Sequence, residues 1–239
     1  MLVILTGAGV SKESGLSTFR DAGGIWQRVD LNDVATPEGF ARDPGLVNAF
    51  YNERRAALIS GTILPNAAHF ALARLENLSA ARGSGGFLLI TQNVDDLHER
   101  AGSKSVLHMH GELLKARCQS CGEAFPWHAD ITPQSACPRC AARNVLRPHV
   151  VWFGEMPLEM DRIDQALNAC HTFVAIGTSG QVYPAAGFVR QARSAGARTI
   201  EINPESTAVS RFFDQRFIGP ATIAVGEWID SLNNEGNMP

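Results

Sequence analysis

The sequence predicts an α/β fold, a Rossmann-like open parallel sheet with helices on both faces, accompanied by a smaller second domain. Three observations carry this. Short apolar runs end abruptly in small or polar residues, helix-like amphipathic stretches separate them, and two segments break the rhythm. In chain order the predicted strands are LVILTGAG (2–9), FLLITQNVD (87–95), TFVAIGTSG (172–180), TIEINPE (199–205) and TIAVG (222–226). The predicted helices are AHFALARLENLSAAR (68–82), DRIDQALNAC (161–170) and AAGFVRQARSAG (185–196). Continuous apolar strands alternating with helices form parallel sheets covered on both sides, and ligands bind beyond the carboxyl ends of such strands. Those ends carry Gly7-Ala8-Gly9, Gln92-Asn93-Val94-Asp95, Gly177-Thr178-Ser179 and Asn203.

The first interruption contains a helix, with Asp43 as cap, Pro44 in the first turn, LVNAFYNERRAALIS as body and Gly61 as stop. The second holds four of the five cysteines, Cys118, Cys121, Cys137 and Cys140, as two CxxC pairs separated by 15 residues. Each CxxC turn converges two sulfurs on one ion, and two turns complete a closed tetrahedral zinc site with no position left for water. The expected zinc is structural, and Cys170 reads as a buried core thiol. The division expected is 1–26, 67–111 and 150–239 as the Rossmann-like domain. The small helical and zinc-binding domain takes 27–66 and 112–149.

Composition narrows the function. Of 239 residues, 45% are hydrophobic and 19% charged, which marks a folded globular chain. Lys plus Arg (21) against Asp plus Glu (24) leaves a net charge of −3, which argues against direct nucleic-acid binding. No apolar run reaches the roughly 18–20 residues of a membrane span, and MLVILTGAGV lacks a signal peptide's basic flank. The expected location is cytoplasmic.

The Gly7-x-Gly9 turn is of the kind that lets backbone approach a pyrophosphate at a helix N-terminus. A dehydrogenase fingerprint wants a third glycine where Lys12 stands, and an acidic strand end about 20 residues on is missing. Hydride transfer is therefore disfavoured. GAGVSKESGLSTFRDAGGIW (7–26) continues through Ser14, Phe19, Arg20 and Trp26. TQNVDDLHERAG (91–102), HMHGEL (108–113), the cysteine pairs, RPHVVWFGE (147–155), GTSGQVYPAAG (177–187) and EINPE (201–205) then follow in order. Taken together, residues 1 to 226 closely resemble the sirtuin family, in its bacterial, class III desuccinylase-type subgroup.

The resemblance implies a lysine deacylase that consumes NAD, releasing nicotinamide and O-acyl-ADP-ribose. It implies His110 as the base that activates a ribose hydroxyl, with His108 structural, and Asn93, Asp95 and Gln92 on the ribose and nicotinamide side. It implies further NAD contacts from Gly7, Ala8, Gly9, Ser14, Phe19, Arg20, Trp26, Gly177, Thr178, Ser179, Asn203 and Ala221. The loop at 20–26, with Gly23-Gly24, is expected to rearrange around NAD. Acylated peptide is expected to pair with extended backbone near Phe153-Gly154-Glu155 and Gly180-Gln181-Val182.

Tyr51 and Arg54 lie three apart on the predicted helix and share a face. A phenol and a guanidinium there can bind a carboxylate, and the resemblance adds Ala35 as the small residue that widens the acyl pocket. Succinyl and malonyl groups join acetyl as expected substrates. The alternatives are protein ADP-ribosyl transfer by the same NAD cleavage and a zinc-ribbon module for nucleic acid. Oligomeric state and protein targets are not legible.

Overall fold

A computed structural model describes residues 1–16, 30–81 and 86–234. Six strands, β1 (Leu2–Thr6), β2 (Phe87–Thr91), β3 (Val106–His108), β7 (Thr172–Ile176), β8 (Arg198–Asn203) and β9 (Gln215–Ile218), form one sheet in the order β3-β2-β1-β7-β8-β9. Every pairing in it is parallel. The chain winds outward from β1 in one direction and from β7 in the other. The boundary between them is the point where open α/β sheets hold ligands.

Alternation along the strands explains both covers. Val3, Leu5, Phe173 and Ala175 pack on one face with α7 (Met160–Ala169) and α8 (Phe188–Ser194). Leu2, Ile4, Val174 and Ile176 pack on the other with α5 (Ala67–Ala81) and α9 (Ala221–Asn234). Each fully buried Val, Leu, Ile or Phe among these contributes about 1.5–3 kcal/mol relative to exposure.

One predicted element is corrected. TIAVG (222–226) is not a strand but the start of α9. Its apolar residues belong to a longer helical series, Ala221, Ala224, Val225, Trp228, Ile229 and Leu232, all buried on one side. A five-residue apolar window does not distinguish the two periods, and the longer series decides. Strands β3 and β9 were not foreseen, because one is three residues long and the other alternates with exposed side chains at the sheet edge.

Three helices, α2 (Leu31–Val34), α3 (Pro37–Arg42) and α4 (Pro44–Ile59), fill the first interruption. Asp43 accepts from the Leu46 amide at 2.9 Å and Pro44 opens α4, as the sequence predicts. Their apolar faces bury Val34, Phe40, Val47, Phe50, Tyr51 and Leu58 against Leu113 and Trp152. The second interruption forms an antiparallel sheet from β4 (Gly111–Cys118), β5 (Ala124–Pro126) and β6 (Leu146–Val150), with β4 central. The two are tied together. The Asn52 side chain on α4 donates to the Ile131 carbonyl and accepts from its amide, at 3.0 and 2.9 Å. Buried Arg55 donates to the Leu113 carbonyl at 3.1 Å. Among the described residues no helix is long and apolar enough to cross a membrane.

Candidate active site

The site begins where β1 and β7 part. After β1 the chain enters α1 (Ala8–Lys12) through Gly7, whose amide donates to the Ile176 carbonyl, while the Gly9 amide donates to the Gly177 carbonyl. A Cβ at Gly9 would lie 2.8 Å from the Gly177 Cα, and Gly177 itself has φ +62°. These glycines are therefore required by each other, as two backbone turns in direct contact at the switch point. Pyrophosphate approach is not the only reason for them.

The end of β2 lies beside this turn. The Asn93 side-chain amide donates to the Gly7 carbonyl and to Ser11 Oγ, both at 3.1 Å. Ser11 in turn hydrogen-bonds the Asp95 carboxylate, which also accepts from the Leu97 amide at the start of α6 (Leu97–Arg100). Burial dominates at Asp95 and pushes its pKa up from 3.8 to about 6, against the lowering effect of those bonds. A raised folded-state pKa means stability is fully present below the unfolded value and is lost as pH rises through about 6. Asp95→Asn is therefore expected to stabilise the protein by about 1–3 kcal/mol near pH 7.5 and by little near pH 4. Urea melts at the two pH values check it; equal effects at both would contradict it.

His110 follows β3 and is fixed by its neighbour. Gly111 has φ +81°, and a Cβ there would lie 2.1 Å from the His149 carbonyl oxygen, so only glycine lets β4 start against β6 at this point. The His110 ring nitrogen Nδ1 lies 3.1 Å from the Gln92 carbonyl. A carbonyl only accepts, so Nδ1 carries the proton and Nε2 is left as an acceptor in the neutral ring. Burial lowers the His110 pKa below 6.5, with the Gln92 carbonyl partly offsetting it. His108 differs. Its Nε2 lies 2.6 Å from Glu99 and its Nδ1 3.2 Å from the Asn93 carbonyl. Burial lowers its pKa, but the Glu99 carboxylate outweighs that and the net shift is upward. The two histidines of HMHGEL thus occupy opposite electrostatic settings.

On the other side of the switch point, Asn203 at the end of β8 donates to the Thr178 carbonyl at 2.6 Å. Ser179 Oγ accepts from the Gln181 amide at 3.3 Å. Buried Ala221 opens α9, whose Thr222 is bound to Glu13 just after α1. Ser14 Oγ accepts from the Asn66 side chain at 2.9 Å. Phe19, Arg20, Trp26 and the Gly23-Gly24 loop lie outside the described residues. The buried polar side chains Ser11, Asn93, Asp95 and Asn203 gather at strand carboxyl ends, where the fold accommodates a nucleotide.

The residues expected to receive the acyl group are Ala35, which follows α2, and Tyr51 and Arg54 on α4. Ala35 and Tyr51 share a buried cluster with Phe40 and Trp152. The Trp152 indole N–H donates to the Tyr51 hydroxyl at 3.1 Å. Burial pushes the Tyr51 pKa up to about 12 and lowers that of Arg54 to about 10. Each eases the other's shift by charge interaction, which places them as neighbours. Arg54 also lies over the Phe50 ring, 3.2 Å from its centroid, and donates to the Phe50 carbonyl.

The expected extended backbone at Phe153-Gly154-Glu155 is corrected to a turn. Gly154 has φ +90°, and the Glu155 amide donates back to the Trp152 carbonyl. The Phe153 amide is taken by the Ala35 carbonyl, and the Glu155 carboxylate by Arg147 and the Trp152 amide. Residues 180–182 are likewise not a strand. Phe153 is 50% exposed and Val182 39%, so both present side chains to solvent.

The cysteine lobe repeats one turn twice. The Gly122 amide closes on the Cys118 carbonyl, and the Ala141 amide on the Cys137 carbonyl, both at 2.9 Å. All four ligand sulfurs lie within 4.8 Å of one another, and Cys118–Cys140 and Cys121–Cys137 are each 3.8 Å apart. A tetrahedron with zinc–sulfur bonds of about 2.3 Å has edges of about 3.8 Å, so the donor set fits zinc. Cys170 is separately buried, donating to the Leu167 carbonyl.

Sequence reasoning passed over Ser11, Arg147 and Trp152. Ser11 stands one turn beyond the Gly-x-Gly start, where a buried hydroxyl is a legible signal. The other two carried none apart from their place in RPHVVWFGE.

A sheet of Rossmann order with buried polar groups at its switch point, joined to a lobe of four clustered cysteines, is the architecture of a dinucleotide-using protein with a lobe able to hold a metal ion. The Sir2 family profile matches residues 7–184, and the chain belongs to that family. An NAD-dependent protein deacylase of Caulobacter vibrioides is 56% identical over 229 residues, covering 96% of this chain and 95% of its own. A crystal structure of a Sir2 homologue in complex with NAD superposes with a TM-score of 0.86 at 40% identity, covering 98% of this chain and 90% of that one. Sir2Af2 bound to a myristoylated histone peptide gives 0.71 at 29% identity, covering 100% and 93%.

Proposed function

We propose that this chain is an NAD-dependent protein-lysine deacylase that removes acetyl, succinyl and malonyl groups, acting in the cytoplasm on protein substrates. Residues 1–26, 67–111 and 150–239 bind NAD. Residues 27–66 and 112–149 form the small domain, whose zinc is held by Cys118, Cys121, Cys137 and Cys140. The observation that carries the reading is the pair at the end of β2. Asn93 is locked onto the glycine turn, and His110 donates from Nδ1 to the Gln92 carbonyl, which leaves Nε2 as the acceptor of the neutral ring.

Bound NAD supplies a ribose carbon that becomes electrophilic as nicotinamide leaves. Asn93, Asp95 and Ser11 form a preset polar array that orients the sugar beside that carbon and replaces water's dipoles. His110 Nε2 takes a proton from a ribose hydroxyl as that oxygen attacks the former acyl carbon, while Nδ1 keeps its own proton and donates it to the Gln92 carbonyl. Gly7, Gly9, Thr178, Ser179, Asn203 and Ala221 bind the pyrophosphate and adenosine half. Ala35 leaves room for a longer acyl chain, and Tyr51 with Arg54 receives its distal carboxylate.

Turnover of acetyl-, succinyl- and malonyl-lysine peptides with NAD tests this. Nicotinamide release should depend on acylated peptide; release accompanied by ADP-ribose on the protein instead would favour ADP-ribosyl transfer. Arg54→Met should lower kcat/KM for succinyl peptide by about 10²-fold, because a charged hydrogen-bonded pair contributes about 2–3 kcal/mol. Acetyl peptide should lose far less. Equal losses would remove the carboxylate assignment.

A further inference from the structure

The Tyr51 hydroxyl can accept or donate, and its use as a carboxylate reader requires that it donate. Indole Nε1 is a donor only, so the 3.1 Å contact from Trp152 makes the Tyr51 oxygen the acceptor. Among the described residues no acceptor takes the Tyr51 proton. The tyrosine is 4% exposed, so water does not readily compete for it.

Trp152 is itself held from three sides. The Arg147 guanidinium lies flat over its ring, 3.4 Å from the centroid, and that arginine is clamped bidentately by Glu155 at 2.7 and 2.9 Å. The Trp152 amide donates to the same Glu155 carboxylate at 2.8 Å. Phe40 packs on the ring with centroids 5.1 Å apart. An arginine and a glutamate thus spend their pairing on fixing an indole whose one polar atom points at Tyr51.

We propose that Trp152 is a specificity-positioning residue: by occupying the Tyr51 oxygen lone pair, it orients the phenol O–H toward an acyl group's distal carboxylate. The inference rests on the carboxylate-reading role of Tyr51 and Arg54 and assigns to Trp152 how that role is enforced. Acetyl groups carry no such oxygen, so the effect is confined to acidic acyl chains.

A double-mutant cycle tests it, read as the ratio of kcat/KM for succinyl over acetyl peptide. Trp152→Phe keeps a ring in the cluster and removes the donor. It is expected to lower the ratio about tenfold, mainly through a higher KM for succinyl peptide. In a Tyr51→Phe background the same change should leave the ratio where Tyr51→Phe alone puts it, because no hydroxyl is left to orient. Replacing Trp152 with 3-benzothienylalanine, which keeps the indole shape without its N–H, should reproduce the drop and controls for packing. An unchanged ratio in both Trp152 variants, or an equal drop with and without the Tyr51 hydroxyl, overturns the proposal. If Tyr51→Phe and Arg54→Met both leave the ratio unchanged, the carboxylate reading fails and the proposal with it. If they lower it and the Trp152 variants do not, only the proposal fails.

Discussion

His110→Ala is expected to lower deacylation of every acyl peptide by about 10²–10⁴-fold, the usual contribution of a positioned general base. The expectation follows from the proposed split of duties between the ring's two nitrogens, in which Nδ1 donates to the Gln92 carbonyl and Nε2 takes the ribose proton. The base acts after nicotinamide leaves, so the variant should still exchange labelled nicotinamide into NAD while forming little O-acyl-ADP-ribose. Loss of both activities together would place His110 elsewhere in the reaction. The pH dependence has a fixed sign. Burial lowers the His110 pKa below 6.5, so the neutral base persists into mildly acidic solution and the acid limb of kcat/KM should fall below that value. A limb above 6.5 removed by the substitution would contradict the geometry.

Cys118→Ala, or removal of metal by a strong chelator, is expected to unfold the lobe around β4–β6 and lower Tm by many degrees. Among the described residues its buried cluster is Ala116, Cys118, Ile131, Cys137 and Leu146, with Phe125, Trp127 and Val145 packed against it, and two of the five buried residues belong to the four-cysteine site. So small a core does not offset the entropy of ordering the lobe, whereas a structural zinc contributes on the order of 10 kcal/mol. Metal analysis should show one zinc per chain lost on substitution, and Cys170→Ala should retain it. A metal-free protein with unchanged Tm and full activity would refute a structural role.

Much of this molecule is readable before any coordinates. Strands β1, β2, β7 and β8 announce themselves because both faces are covered, leaving runs such as LVILT without polar interruption. The α4 cap and the paired CxxC turns are local chemistry, written within a few residues. What was misread depends on distant partners. TIAVG is helical because α9 lies across α5 and the sheet, contacts no five-residue window contains. The turn at Gly154 replaced an expected extended segment because Arg147 and Glu155 close it from outside. Trp152 was passed over for the same reason, since the hydrogen bond from its indole spans 101 residues of sequence.

Asn52 and Arg55 anchor α4 to the cysteine lobe, while Tyr51 and Arg54 lie beside them on the same turn of that helix. On the proposed reading, the choice of acyl chain and the integrity of the metal site therefore share one mechanical mount. Partial demetallation should blur discrimination between neutral and acidic modifications before it silences the chemistry at the far end of β2. Thiol-oxidising conditions that eject the ion would shift the enzyme's substrate spectrum as an early symptom, with extinction of turnover as the late one.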